Sequence, residues 1–593
     1  MSASSRTFRY DAMVENISST RKFSYAFVCM FVLHTILRIF FESKYQVNDD
    51  TAILSFLNGT FTGNNEANTV FVHPWIGETL ASLYRSSPTV TWYPYFLLLI
   101  TMVALSSLAF FVNNDATLFT WLIAAFLTVS SLTIEPTFTV ASLICAVTGL
   151  VGIWLSSLQK NAKIRINGIL AFSIVTFIAF LLRKQSILFS IGFISPLIIA
   201  VWYLMARKNV FVRRSVIVAT LFILVTCLSS LLAHKVQFIC KSEENCTAWQ
   251  EYTAFNQARG AIHGTPNASM LRGNLNELGW SLNDFNLFAS WLHPDDKETF
   301  FYPISNMTSA TQSPISIVTN QELLATGISN FFGGASNFII SLIVFLRLFF
   351  LLVNRYRIPF RNGLIGITVS GWFLLGLMIS SLYRFPLRIS FPFLVSAVIV
   401  AFAVLVLFEQ IEERSPLWPE HRSKTRKMSR KSIGVDYLVI LLTVTISVIP
   451  FVGETGMLQR SYVAQELNFD AIDFQKDIRV ASLDSNILIS PGFSHLYSIN
   501  PWKNENWFFE NNSLSFGWPV FSPHQEARQE GLGIKSMFKD LLDAKEEYFF
   551  CGSETEAGLI AKYLTEKGQI DVSAHRMNTR IKFCESWEFR SVP

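Results

Sequence analysis

The chain has 593 residues, of which 51% are hydrophobic, 14% aromatic and only 15% charged. Soluble domains carry about a quarter charged residues, and 54 phenylalanines exceed what a soluble core of this length uses, so a purely soluble protein is excluded. The net charge of +5 is too small to argue for nucleic acid, and no nucleic-acid partner is expected.

Residues 1–22 are polar and carry Arg6, Arg9, Arg21 and Lys22, as a cytoplasmic N-terminus would. The apolar run 23–41 follows without a small-residue cleavage site and reads as a retained first span. Further runs of membrane length lie at 92–112, 117–134, 137–158, 166–182, 187–205, 215–233, 334–353, 363–381, 389–408 and 433–452. The expected fold is therefore an α-helical polytopic membrane protein of about eleven transmembrane helices.

Basic residues mark cytoplasmic loops. With the N-terminus inside, Lys160, Lys163 and Arg165, then Arg207, Lys208, Arg213 and Arg214, then Arg355, Arg357 and Arg361, and finally the run SKTRKMSRKS all fall inside. That parity holds only if HPWIGETLASLYR lies on the membrane as an amphipathic helix rather than crossing it. The plasma membrane then holds residues 23–233 and 334–452. The segments 42–91, 234–333 and 453–593 lie outside. The last mixes strand-like runs (NILIS, EYFFCG, IKFCESWEF) with the helix-like SETEAGLIAKYLTEKG, which predicts a small extracytoplasmic α/β domain. Cys240, Cys246, Cys551 and Cys584 fall in external parts; Cys240–Cys246 and Cys551–Cys584 are plausible disulfides, although four cysteines allow three pairings.

Ionisable groups at a membrane site default to function. Asp49 and Asp50 stand just past the first span, where a helix N-cap needs one acid and finds two. Glu135 lies in the tight turn before Pro136 and, by parity, on the same side. Arg183, Lys184, Arg384 and Arg388 are external against the positive-inside trend and suit a lipid-linked phosphate. His73 opens the surface helix, where it either caps or meets substrate. Arg347 lies in mid-span and is expected to face the protein interior or a cavity. Trp92, Tyr93, Trp502, Trp507 and Trp518 fit an interfacial belt or sugar stacking.

An acidic pair, a glycine turn, a His-Pro surface helix and a second external acid here read Asp49-Asp50, Gly59 and Gly63, His73-Pro74 and Glu135. Over roughly the first 185 residues this pattern resembles the membrane-embedded GT-C glycosyltransferase superfamily. The stretches NDDTAILSFLNGTFTG, FNQARGAIHG, NELGWSLNDFNLFASW and FGWPVFSP also look like bacterial polytopic proteins associated with surface polysaccharide. The resemblance implies an inverting transferase that moves a sugar from a polyprenyl-phosphate donor to a cell-surface glycan or lipid-linked acceptor. Arg183, Lys184, Arg384, Arg388 and His73 would bind substrate. Asp50 or Asp49 would take the acceptor's proton, and Glu135 would orient the acceptor or hold a divalent cation, magnesium or manganese. A lipid-linked glycan flippase, another transporter or a polysaccharide polymerase is the alternative. A transporter concentrates ionisable groups at mid-membrane.

Overall fold

A computed structural model describes residues 3–41, 43–45, 48–205, 210–264, 275–307, 387–414, 487–491, 500–503, 513–543, 548–577 and 586–592. The expected spans 334–353, 363–381 and 433–452, together with Arg347, Arg384, Trp507 and Cys584, lie outside these residues.

The chain folds as a helical bundle with a smaller mixed α/β part. The helices are α1 (Ala3–Phe40), α2 (Asn48–Leu57), α3 (Pro74–Ser86), α4 (Trp92–Leu108), α5 (Asp115–Ile134), α6 (Phe138–Ser157), α7 (Ala162–Leu182), α8 (Ser186–Met205) and α9 (Val210–Ala233). After them come α10 (Glu243–Gly264), α11 (Leu282–Ala289) and α12 (Leu387–Arg414). Six helical stretches among the described residues are long and apolar enough to cross a membrane: Arg21–Phe40, Trp92–Phe111, Thr117–Ile134, Phe138–Ser157, Ala162–Leu182 and Arg214–Ala233. Two shorter apolar stretches, Ser186–Ser195 and Phe391–Leu407, correspond to two more of the expected spans. Among the described residues the candidate spans number six, and three of the expected eleven fall outside those residues.

Local chemistry sets the helix starts. Asn114 and Thr117 form a capping box ahead of α5, Thr137 caps α6, and Asn161 caps α7. Helix α6 is apolar all round and buried along its whole length, as a central helix must be. Its Gly149 and Gly152 face Thr176 and Phe172 of α7, and such small residues let transmembrane backbones close on each other. Helix α9 instead turns Leu221, Leu224, Leu228 and Leu231 outward at helical spacing, all about half exposed. A continuous bare leucine stripe of this kind fits lipid.

One end of the bundle gathers around residues 44–93. The Lys44 N–H donates to the Ile134 carbonyl at the end of α5, and the His73 N–H donates to Leu181 at the end of α7, each at 2.9 Å. The His73 ring reaches the Ala233 carbonyl at the end of α9, also at 2.9 Å. Helix α8 starts at this same end, after a three-residue link from α7, and its Phe193 meets Phe393 of α12 with ring centroids 4.6 Å apart. Lys22, Lys160, Lys163 and Arg165 lie at the opposite end; there the Lys22 ammonium donates to the Val112 carbonyl at 2.7 Å.

Helix α3 is a 13-residue surface helix that buries Ile76, Leu80, Ala81 and Tyr84 and leaves Trp75 and Leu83 partly bare. It is not among the candidate spans. Gly77 lets it close on residues 66–68, because a Cβ there would overlap the Ala67 carbonyl oxygen, a backbone atom with little freedom to yield. Gly77→Ala is expected to destabilise the protein by about 1–3 kcal/mol through overpacking. Thermal denaturation in detergent measures this; an unchanged midpoint would show that the contact yields freely.

The α/β part carries five strands: β1 (Ile487–Pro491), β2 (Ser513–Phe516), β3 (Tyr548–Cys551), β4 (Val572–Arg576) and β5 (Ser586–Ser591). Their order is β2-β1-β3-β5-β4, with β1 parallel to β2 and β3, and β5 antiparallel to β3 and β4. Three helices, α13 (Pro523–Gly531), α14 (Met537–Asp543) and α15 (Glu554–Gly568), accompany the sheet. The three strand-like runs seen in the sequence are β1, β3 and β5, and the helix-like stretch is α15. The region after α9 and this sheet share one core: Trp249, Tyr252, Phe255, Phe288 and Phe301 pack with Phe516, Phe521 and Phe550. Cys240 and Cys246 form a disulfide, and Cys551 is also disulfide-bonded.

Candidate functional site

The acidic pair occupies the first turn of α2, where carboxylates favour the helix dipole. The two side chains then diverge. Asp50 is completely buried. Its Oδ1 accepts from the Tyr93 hydroxyl at 2.6 Å and from the Phe138 N–H at 2.9 Å. One carboxylate oxygen thus ties α2 to the first turns of α4 and α6. Oδ2 accepts no hydrogen bond among the described residues, although the Thr137 hydroxyl adds a weaker stabilisation of the charged form. Burial pushes the Asp50 carboxyl up to about 7; the bonds from Tyr93, Phe138 and Thr137 oppose this, and the Asp49 charge adds to it.

Asp49 is half-buried. Its charge acts on Asp50, on Tyr252 and on Arg259, which places it between the bundle and the α/β part. Glu135 is buried in the bend that joins α5 to α6. The same bend delivers Thr137 and Phe138 to Asp50.

Arg183 caps the end of α7 and is half-buried. Its guanidinium donates to the Thr139 hydroxyl and lies over the Phe138 ring at 5.5 Å. Arg183 and Asp50 therefore flank the same first turn of α6. Lys184, the next residue, is exposed. Arg388 lies in the first turn of α12, and Arg384 lies outside the described residues.

His73 has both ring nitrogens in use. Nδ1 accepts from the Trp75 N–H at 3.2 Å, as the N-cap of α3, and Nε2 donates to the Ala233 carbonyl at 2.9 Å. It holds α3 against α9, and neither nitrogen is left for substrate.

A layer of aromatic rings roofs the acids. Phe138 stacks on Phe71 at 6.0 Å, Phe71 meets Trp518 at 4.9 Å, and Trp518 meets Phe56 of α2 at 6.2 Å. The Trp518 carbonyl takes the Tyr252 hydroxyl at 2.8 Å, and the Gly517 carbonyl takes His293 Nδ1 at 3.2 Å. Trp518 is thus the tooth by which the α/β part engages α2. Trp502 makes a second such contact, donating to the Thr133 carbonyl at 2.8 Å and meeting the His34 ring edge-on at 4.8 Å.

Arg259, Trp291 and Tyr93 belong to this region and were not singled out as site residues from the sequence. Arg259 is buried on α10, where burial pushes its guanidinium down to about 10 while Tyr252 and Asp49 oppose the shift.

Among the described residues, no three His, Cys, Asp or Glu side chains converge as metal ligands do. Oδ1 of Asp50 is also committed to two protein donors. Compared with known proteins, the chain matches no family model, no curated protein and no solved structure.

Proposed function

We propose that the protein is a membrane glycosyltransferase that moves a sugar from a polyprenyl-phosphate donor to a cell-surface glycan or lipid-linked acceptor. The observation that carries this reading is the split acidic pair at the mouth of the bundle. Asp50 is sealed and braces three elements. Asp49 is accessible, with Arg183 on the membrane side of the junction and Arg259 on the other.

Asp49 is the base. The acceptor hydroxyl attacks the anomeric carbon as Asp49 takes its proton. The bond from that carbon to the phosphate oxygen breaks, and the electron pair leaves with the polyprenyl phosphate. Attack opposite the leaving group inverts the anomeric centre. Arg183, at the membrane edge, offsets the charge that builds on the leaving phosphate, and Lys184 extends that positive edge. Asp50 is a positioning residue. Glu135 shapes the bend behind it.

The test is transfer from a polyprenyl-phosphate sugar by the purified chain, with release of polyprenyl phosphate as the readout. No turnover and no donor binding across a panel of donor sugars would sink the reading.

The side of the membrane follows from charge. Lys22, Lys160, Lys163 and Arg165 crowd the end opposite the acids, so the acids face outward from the plasma membrane. The N-terminus is then cytoplasmic and the α/β part extracytoplasmic. In intact cells an impermeant maleimide is expected to label Asn64→Cys and Thr555→Cys, both exposed, but not the equally exposed Lys160→Cys. The reverse pattern would invert the map.

A further inference from the structure

Arg259 is 4% exposed. Its Nη2 donates to the Asn256 side-chain oxygen, while Nε and Nη1 have no hydrogen-bond partner among the described residues. A buried guanidinium whose donors go unanswered is a costly arrangement, and the usual partners of this planar fork are carboxylates and phosphates. Asp49 is the acid whose charge acts on it.

A second feature adjoins the first. The Trp291 ring covers the guanidinium at 4.9 Å. Trp291 also packs against the cluster of Ala52, Phe56, Phe61 and Trp518, two of which belong to α2, the helix that carries Asp49. Its backbone sits at φ 59°, in the left-handed region that bulky side chains rarely adopt. Such strain is held where the surroundings impose it, and it gathers at binding sites. Arg259, Trp291 and Asp49 thus form one connected group, on the face of the acids turned away from the bundle.

We infer that Arg259 binds an oxyanion of the acceptor, a carboxylate or a phosphate ester on the glycan, with Trp291 as the ring that the anion displaces. This rests on the proposed role of Asp49 as the acceptor's base, and it makes the acceptor an acidic one. Arg183, at the end of α7, stays with the lipid phosphate.

The experiment uses the full chain in detergent and four probes: glucuronate, glycerol phosphate, glucose and a short-chain polyprenyl phosphate. Binding is read by tryptophan fluorescence, with Trp291→Phe as the control for the signal. The two anionic water-soluble probes are expected to bind the parent at least tenfold more tightly than glucose. Arg259→Ala is expected to lose that preference, and Arg259→Lys to recover part of it for the phosphate ester. Both variants should bind polyprenyl phosphate as the parent does. Equal binding of glucuronate and glycerol phosphate by parent and Arg259→Ala overturns the inference, as does failure of the parent to prefer them over glucose. Loss of polyprenyl phosphate alone in either variant would place Arg259 on the donor side and also overturn it. Arg259-dependent anion binding in a protein that neither binds polyprenyl phosphate nor transfers sugar would leave the inference standing and remove the transferase reading.

Discussion

Asp49→Asn is expected to lower the turnover of sugar transfer by about a thousandfold, within the span of about 10²–10⁴ that a positioned base contributes. The donor KM should change little, because the substitution keeps the shape of the side chain and removes only its ability to take a proton. Asp50→Asn should cost far less turnover. Its side-chain oxygen can still accept from Tyr93 and from the Phe138 N–H, so the brace between α2, α4 and α6 survives. The comparison separates base from brace, which adjacency in sequence cannot do. Turnover in Asp49→Asn within threefold of the parent would remove Asp49 as the base. A thousandfold loss in Asp50→Asn alone would move the role to Asp50.

The parts of this architecture that were legible in sequence are those written by local pattern. Apolar runs such as 92–112 and 137–158 declare their length, and α4 and α6 follow them closely. The surface helix was legible because the basic loops keep their parity only if HPWIGETLASLYR does not cross the membrane, and its buried Ile76, Leu80 and Tyr84 recur at helical spacing. Strand β3 was visible because Tyr548, Phe549 and Phe550 form a strand-like aromatic run. Strand β2 is four residues, Ser513–Phe516, too short to carry a period of its own. The α/β core also draws on Trp249, Tyr252 and Phe255, which the sequence places more than two hundred residues before the sheet.

The site divides the same way. The acidic pair stands out because charge beside a membrane is costly. Tyr93 was hidden by its neighbours: in Trp92-Tyr93 it looks like an interfacial ring, and only the fold brings its hydroxyl to Asp50 across 43 residues. Arg259 was hidden by an ordinary setting. The stretch FNQARGAIHG carries a resemblance but nothing that sets its one arginine apart until α10 is packed against Trp291 and its solvent is removed. His73 shows the converse. Its sequence position invited a binding role, and the end of α9, 160 residues away, took the second nitrogen.

Asp50→Asn is also expected to change how stability depends on pH. Burial raises the Asp50 carboxyl from 3.8 to about 7 in the folded protein. Between those values the folded chain keeps a proton that the unfolded chain releases. The folded state is therefore the one favoured by protons, and the contribution is fully present below about pH 4 and lost as pH rises through 7. A displacement of about three units corresponds to something on the order of 4 kcal/mol between the two ends of that range. An asparagine carries no such term, and every other titrating group, including His73, His234 and His524, is common to both proteins. The variant should therefore gain on the parent by several degrees of melting temperature as pH goes from 4 to 8, measured in detergent. Parallel curves would mean that Asp50 titrates near its ordinary value and is more open to water than its packing against Tyr93 and Phe138 implies. A gain that builds up between about pH 4 and pH 7 and levels off above it would identify the buried carboxyl as its source. Burial thus draws the Asp50 carboxyl toward its protonated form. This suits a residue that braces the acidic turn of α2 without placing two full negative charges side by side, and it leaves Asp49 as the acid that faces the acceptor.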